Sequence, residues 1–354
     1  MKDKIANIQA LRGAAALSVF AAHLVGAETD YGGPEPLLPN WLHIGLTGVD
    51  LFFVISGYVM AHVTHAMPRT KNGAARFLYN RMARIYPLYW LVTLGMIVMF
   101  AFKKNLFHED TALANPVTSM LLLPNTEHPI LAVGWTLIHE MYFYFVFAVF
   151  LLFQARRLNL LLGLWALVIA LSTISGIWKE NPWFGVLLNP LTFEFIAGVI
   201  IAKIIQRGFF KFAMPALLIG VSGLVFLTIF SFDQLYPGAM VDLTVRTAIF
   251  GPLYALILYG AVALEQKSSR KAPDWLMKTG DASYALYLVH IPIFLVVGKS
   301  LSLTGASGVI YQLTLIATYT AVTLAMAFIA HHYFEKPALR FTKSFGTKLF
   351  LSRA

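Results

Sequence analysis

Two residues on one apolar stretch carry the first hint of chemistry. Within residues 8–26, IQALRGAAALSVFAAHLVG, Arg12 and His23 stand 11 positions apart. At 3.6 residues per turn this is just over three turns. Both side chains therefore fall on nearly one stripe of a helix, about 16 Å apart along its axis. An arginine is a permanent cation whose forked N–H donors match phosphate and carboxylate. A histidine exchanges a proton near neutral pH. Ionisable groups in so apolar a segment must face a polar cavity or a bundle interior. The pair suggests anion binding at one end of the helix and acid–base chemistry at the other.

Other polar residues fall in similarly apolar surroundings. Asp50 lies near the start of the helical stretch GVDLFFVISGYVM. It reads either as a carboxylate capping that helix or as a partner that orients and charges a catalytic imidazole. Ser56 and Gly57, on the same stretch, read as helix-packing residues. Arg81 and Arg84, in RFLYNRMARIYPLYW, share a helix face, and Arg76 adds a third donor. They are either snorkelling anchors in anionic lipid or a clamp for a polyanion, to which Arg12 would contribute. Pro87 is expected to kink that helix or to mark its start. Glu140, in GWTLIHEMYFYF, is a carboxylate at mid-membrane depth and reads as a site residue. Its alternative is a packing role in which it accepts a hydrogen bond from Tyr or Trp. Glu194 is a weaker case of the same kind. Tyr284, Tyr287 and His290 follow at i, i+3 and i+6. They form either a structural ladder or the lining of a hydrophilic tunnel. Tyr333, Glu335 and Arg340, near the end, read mainly as a topological stop.

The elements that must position these residues follow from composition. Of 354 residues, 58% are hydrophobic and only 12% charged, about half the charge of a soluble domain. A water-soluble enzyme is excluded. Apolar runs long enough to span a bilayer occur near 8–26, 44–62, 82–102, 130–153, 158–176, 183–202, 209–230, 244–264, 282–300 and 305–334. The expected fold is an all-α polytopic membrane bundle of ten transmembrane helices, with both termini cytoplasmic. In that arrangement 21 of the 27 Lys and Arg residues lie on the inside. The net charge of +10 then reports topology, and no nucleic-acid partner is implied. The first run carries no small-residue cleavage site and reads as a retained helix. The VTSMLLLPN segment at 117–125 reads as a short re-entrant or interfacial piece. The external loop 27–43, with Glu28, Asp30 and Glu35, is either a lip over an outward-facing site or a solvated turn. Residues 1–342 form one expected domain, followed by a cytoplasmic tail at 343–354.

There is no cysteine, hence no disulfide or thiolate nucleophile, and no spacing of His and carboxylate suits a metal. Arginines on one side of the membrane and a His–carboxylate group on the other fit acyl transfer from a thioester. The donor would come from the cytoplasm, with its phosphates at the arginines. His23 would take the proton of an acceptor hydroxyl. The rival reading is a polysaccharide or lipid-linked sugar exporter. It accounts less well for the segregation of arginine from histidine, and no duplicated pair of broken helices supports it.

Five segments in order, LRGAAALSVFAAH, GVDLFFVISGY, RMARIYPLYW, WTLIHEMYFY and YFEKP, are spread along the chain from residue 11 to residue 337. On these the chain resembles the bacterial membrane acyltransferase family 3, and its WTL-x-x-EM-x-FY form looks most like the exopolysaccharide-type branch. The resemblance implies a multi-pass enzyme of the bacterial inner membrane. It would use acetyl-CoA as co-substrate, or succinyl in some relatives, and O-acylate a lipid-linked or polymeric carbohydrate. Membrane lipids and polysaccharide-assembly machinery would be its partners. His23 would be the catalytic histidine, Arg12, Arg81 and Arg84 would serve the donor, and Glu140 would be an essential site residue. Relatives can carry a fused extracytoplasmic hydrolase-like domain. None is expected within these 354 residues, so any second transfer step would need a partner or would not occur.

Overall fold

The computed structural model describes residues 5–33, 35–102, 115–232, 242–268 and 272–351. Lys2, Lys4, Lys103, Lys104, Arg270, Lys271 and Arg353, counted in the charge argument, lie outside them. Every regular element among the described residues is helical. In chain order they are α1 (Ala6–Tyr31), α2 (Gly48–Thr64), α3 (Lys71–Phe102), α4 (Pro116–Leu121), α5 (Gly134–Phe150), α6 (Leu158–Ser175) and α7 (Pro182–Leu187). There follow α8 (Thr192–Gln206), α9 (Ala213–Phe230), α10 (Leu243–Ser268), α11 (Asp274–Asp281), α12 (Ser283–Ser302), α13 (Val309–Ile329) and α14 (Lys336–Leu351). A 3₁₀ segment, Asn40–Thr47, leads into α2, and a π-helical turn, Ala330–Glu335, joins α13 to α14.

Nine helical stretches among the described residues are long and apolar enough to cross a membrane, against the ten expected. The difference is α5, whose 17 residues stand at the lower limit for a spanning helix. Several boundaries also differ from the sequence expectation. α1 continues to Tyr31, so Glu28 is helical and buried, not part of a loop. α3 begins 11 residues before 82 and runs through Pro87 without ending there. The final helix continues through 342 as α14.

The chain forms two compact units. One comprises Met1–His65, Pro190–Tyr284 and Ser307–Leu313; the other comprises Ala66–Asn189, Ala285–Ala306 and Thr314–Ala354. The first is organised by α1, α2, α8, α9, α10 and α11. In lipid, helices associate through close packing of small residues. Gly57 of α2 and Gly198 of α8 are reciprocal: a Cβ on Gly57 would collide with the Phe195 carbonyl, and one on Gly198 with the Val54 carbonyl. Gly57 is thus the packing residue the sequence suggested. Beyond α1, both Glu28 oxygens accept backbone N–H bonds from Leu37 and Leu38, at 2.6 and 2.9 Å. Gln312 donates to the Glu35 carbonyl. The loop after α1 is therefore tied down at two points, and is more than a solvated turn.

The second unit is organised by α3, α5 and α14. The 117–125 segment is the short helix α4, capped at its start by the Asn115 side chain. Tyr89, Trp90 and Tyr86 of α3 donate to the Ser119, Met120 and Leu121 carbonyls, satisfying the orphan acceptors at its end. α14 lies along the start of α3, where the Tyr79 hydroxyl donates to the Thr342 carbonyl and its ring meets Phe350 at 5.7 Å.

Candidate active site

In the first unit Arg12 and His23 both lie on α1, an unbroken helix, and both are half-buried. His23 Nδ1 sits 3.0 Å from the Val19 carbonyl. A carbonyl oxygen only accepts, so Nδ1 carries the hydrogen and, in the neutral ring, Nε2 carries the lone pair. His43, on the 3₁₀ segment, is near enough to interact with it electrostatically. Nothing in the local sequence singles out His43.

Asp50 is fully buried in the first turn of α2, and α2 has no side-chain cap bond. No cap hydrogen bond is made by the N-cap residue Thr47, but Asp50 is the acidic residue of the first turn, where the helix dipole favours it. Its carboxylate is engaged by Arg246 of α10, with Nε at 3.0 and 2.8 Å and Nη2 at 2.6 Å. Arg246 Nη2 also donates to the Leu46 carbonyl at 2.7 Å. By charge counting Arg246 belongs to an external helix end; in the fold it is a buried cation. Glu194 of α8 lies beside this pair, and the Tyr254 hydroxyl sits 2.7 Å from Thr47 Oγ1 next to it. A buried charge pair persists only where its hydrogen bonds are made, as by Arg246 Nε and Nη2 here; Glu194 is a second carboxylate beside Asp50, and Arg246 faces both. The signal available in the sequence is one basic residue inside the run 244–264, the counterpart of Asp50.

In the second unit α3 packs on α5 and brings the RxxR segment to Glu140. The Tyr144 hydroxyl donates to Glu140 Oε1, one turn along α5. Arg81 lies against both Tyr144 and Glu140. Arg81 Nε is buried without a hydrogen-bond acceptor among the described residues. Glu140 thus accepts from a tyrosine, in keeping with its packing alternative, while also facing a cation. Arg84 Nη2 lies 3.6 Å from Glu335 Oε1, and Arg76 is exposed. Arg12 belongs to the other unit.

Glu335 is only 2% exposed and accepts from His331 Nδ1 at 2.7 Å. Its reading as a topological stop is corrected by that burial; Tyr333 and Arg340 are exposed. Tyr287 places its hydroxyl 2.8 Å from Thr136 Oγ1 and 3.3 Å from the Val133 carbonyl. Its ring continues through His290 and Phe294 to Tyr319, with centroids 5.9, 5.8 and 4.8 Å apart. Tyr287 and His290 therefore take part in a buried aromatic ladder. Tyr284 falls in the first unit and is half-buried.

A buried, hydrogen-bonded charge network and a set of membrane-embedded arginines, carboxylates and histidines define a polytopic membrane protein equipped for polar chemistry. A family model described as an acyltransferase domain, acyltransferase 3, matches residues 5–332, and the chain belongs to this family. It is 30% identical over 305 residues to the exopolysaccharide production protein ExoZ of Rhizobium meliloti, covering 84% of this chain and 90% of that one. Acyltransferase MdmB of Streptomyces mycarofaciens is 26% identical, with 95% and 92% covered. Peptidoglycan O-acetyltransferase OatA of Listeria monocytogenes is 22% identical; the match takes in 97% of this chain and 58% of that longer protein. No solved structure matches significantly.

Proposed function

We propose that this chain is an O-acyltransferase of the bacterial cytoplasmic membrane. It moves an acetyl group, or succinyl as the alternative, from cytoplasmic acyl-CoA to a hydroxyl of a lipid-linked or polymeric cell-surface carbohydrate. The reading takes ten spans, with α5 as the short one, and both termini inside. The similarity to ExoZ over 84% of this chain supports a polysaccharide acceptor.

The observation that carries the reading is the 3.0 Å approach of His23 Nδ1 to the Val19 carbonyl, which assigns the ring hydrogen to Nδ1. With Nδ1–H donated to Val19, Nε2 is the basic nitrogen. It takes the proton of the acceptor hydroxyl as that oxygen attacks the thioester carbonyl carbon. The tetrahedral species then expels the CoA thiolate, which is protonated, leaving an ester and the free thiol. Arg76, Arg81 and Arg84, all in the second unit, hold the donor's phosphates, and Arg81 brings an Nε–H that no described residue satisfies. Glu140 and Tyr144 set the orientation of Arg81. Asp50 acts by fixing Arg246 and the start of α2. Tyr287 and His290 support the second unit through the aromatic ladder and are not assigned to the donor.

The test is acyl analysis of envelope polysaccharides from a strain lacking the gene. We expect loss of one O-acyl substituent, restored by the wild-type gene. An unchanged acyl profile would overturn the function. For the donor site, Arg81→Ala should weaken CoA binding to detergent-purified protein about tenfold, the scale of one lost charge-assisted contact. Unchanged affinity would return Arg81 to a lipid-anchoring role.

A further inference from the structure

Two arginine–carboxylate pairs are built in opposite ways. Arg246 is 5% exposed, and its Nε and Nη2 donors are taken up by Asp50 and the Leu46 carbonyl. Arg84 is 31% exposed, and its nearest carboxylate oxygen stands 3.6 Å away, outside hydrogen-bond range. Glu335 faces the guanidinium by charge at a distance that no hydrogen bond spans, while the Arg84 side chain keeps about a third of its surface exposed. The carboxylate is itself oriented, because His331 Nδ1–H donates to Oε2.

The backbone beneath explains the arrangement. Pro337 has no N–H, and its ring would crowd the carbonyl four residues back in a regular helix. The helix opens into the π turn Ala330–Glu335 immediately before it. One added residue rotates α14 by about 100° relative to α13. Single π turns of this kind recur at functional sites. Two buried atoms there are unsatisfied among the described residues: Glu335 Oε1 and His331 Nε2.

We infer that His331 and Glu335 are positioning residues that preset Arg84 as a receptor for the anionic portion of the acyl donor. The inference rests on the donor reading above. Neither residue touches the reacting carbonyl; Glu335 acts through Arg84, and His331 through Glu335.

The experiment is a double-mutant cycle on the full-length protein in detergent, with free CoA as probe and affinity measured by calorimetry. Glu335→Gln keeps the shape and removes the charge. It should weaken CoA about fivefold, a typical coupling for a contacting pair. In the Arg84→Ala background the same change should have no further effect. Glu335→Asp, which retains the charge, should recover part of the affinity. Affinity that is unchanged or tighter in Glu335→Gln overturns the inference while leaving the donor site standing. Equal weakening with and without Arg84 overturns it too, since Glu335 would then act by general stability. A wild-type protein that binds no CoA overturns the donor reading and this inference together.

Discussion

At the level of single residues, the two kinds of arginine make different predictions. Arg246 and Asp50 are a buried pair, so removing one partner strands a charge. Arg246→Met should destabilise the protein by about 3–5 kcal/mol. Asp50→Leu combined with Arg246→Met should regain much of that loss, and thermal unfolding in detergent reads both. A double variant no more stable than the single one would mean the pair is not the determinant. The candidate site residues are legible in the sequence because an ionisable group inside an apolar run is conspicuous: Arg12, His23, Asp50, Arg81 and Glu140 are all such cases. Their partners are less so. Asp50 meets Arg246 across 196 residues, and Arg84 meets Glu335 across about 250. Local spacing carries no information about such pairings. It also misreads Glu335, because burial near a helix end depends on what packs there.

Among the elements, α2 and α8 depend on backbone approach at Gly57 and Gly198. Gly198→Leu should prise this pair apart and sharply reduce folded protein in the membrane. Gly163, on α6 with nothing within 4 Å of a Cβ position, should accept Ala without loss. Quantitative fluorescence size exclusion of the two variants checks the contrast, and equal yields would remove the close-packing argument. Helix existence follows from apolar length. Helix ends do not, because the ends of α1 and α3 run past the apolar run into polar sequence that tertiary contacts stabilise. Glu28 illustrates this. In sequence it is an acidic loop residue; in the fold its carboxylate is buried and holds the Leu37 and Leu38 N–H groups.

For the whole molecule, the open quantity is the number of crossings. If the 17 residues of α5 span, everything after it keeps the orientation set by the positive-inside pattern. The chain has no native cysteine, so single-cysteine variants report sidedness without background. With ten spans, cysteine at Arg156 or Lys343 should be shielded from an impermeant thiol reagent in intact cells. Cysteine at Trp41 or Thr304 should be labelled. Labelling at 156 and 343 would mean α5 does not cross. The bundle class is evident from composition alone, since 58% hydrophobic residues leave few alternatives. The division into two compact units is not, because each unit gathers segments far apart in the chain.

The central claim is that His23 is the base for acyl transfer. Its most direct measurement uses membrane vesicles that carry the polysaccharide acceptor, supplied with acetyl-labelled acetyl-CoA on the cytoplasmic side. Wild-type protein should move label into the polysaccharide as a base-labile ester. His23→Ala, present at equal abundance, should reduce that rate at least about a hundredfold, the usual contribution of a general base. Undiminished transfer by His23→Ala would contradict the account.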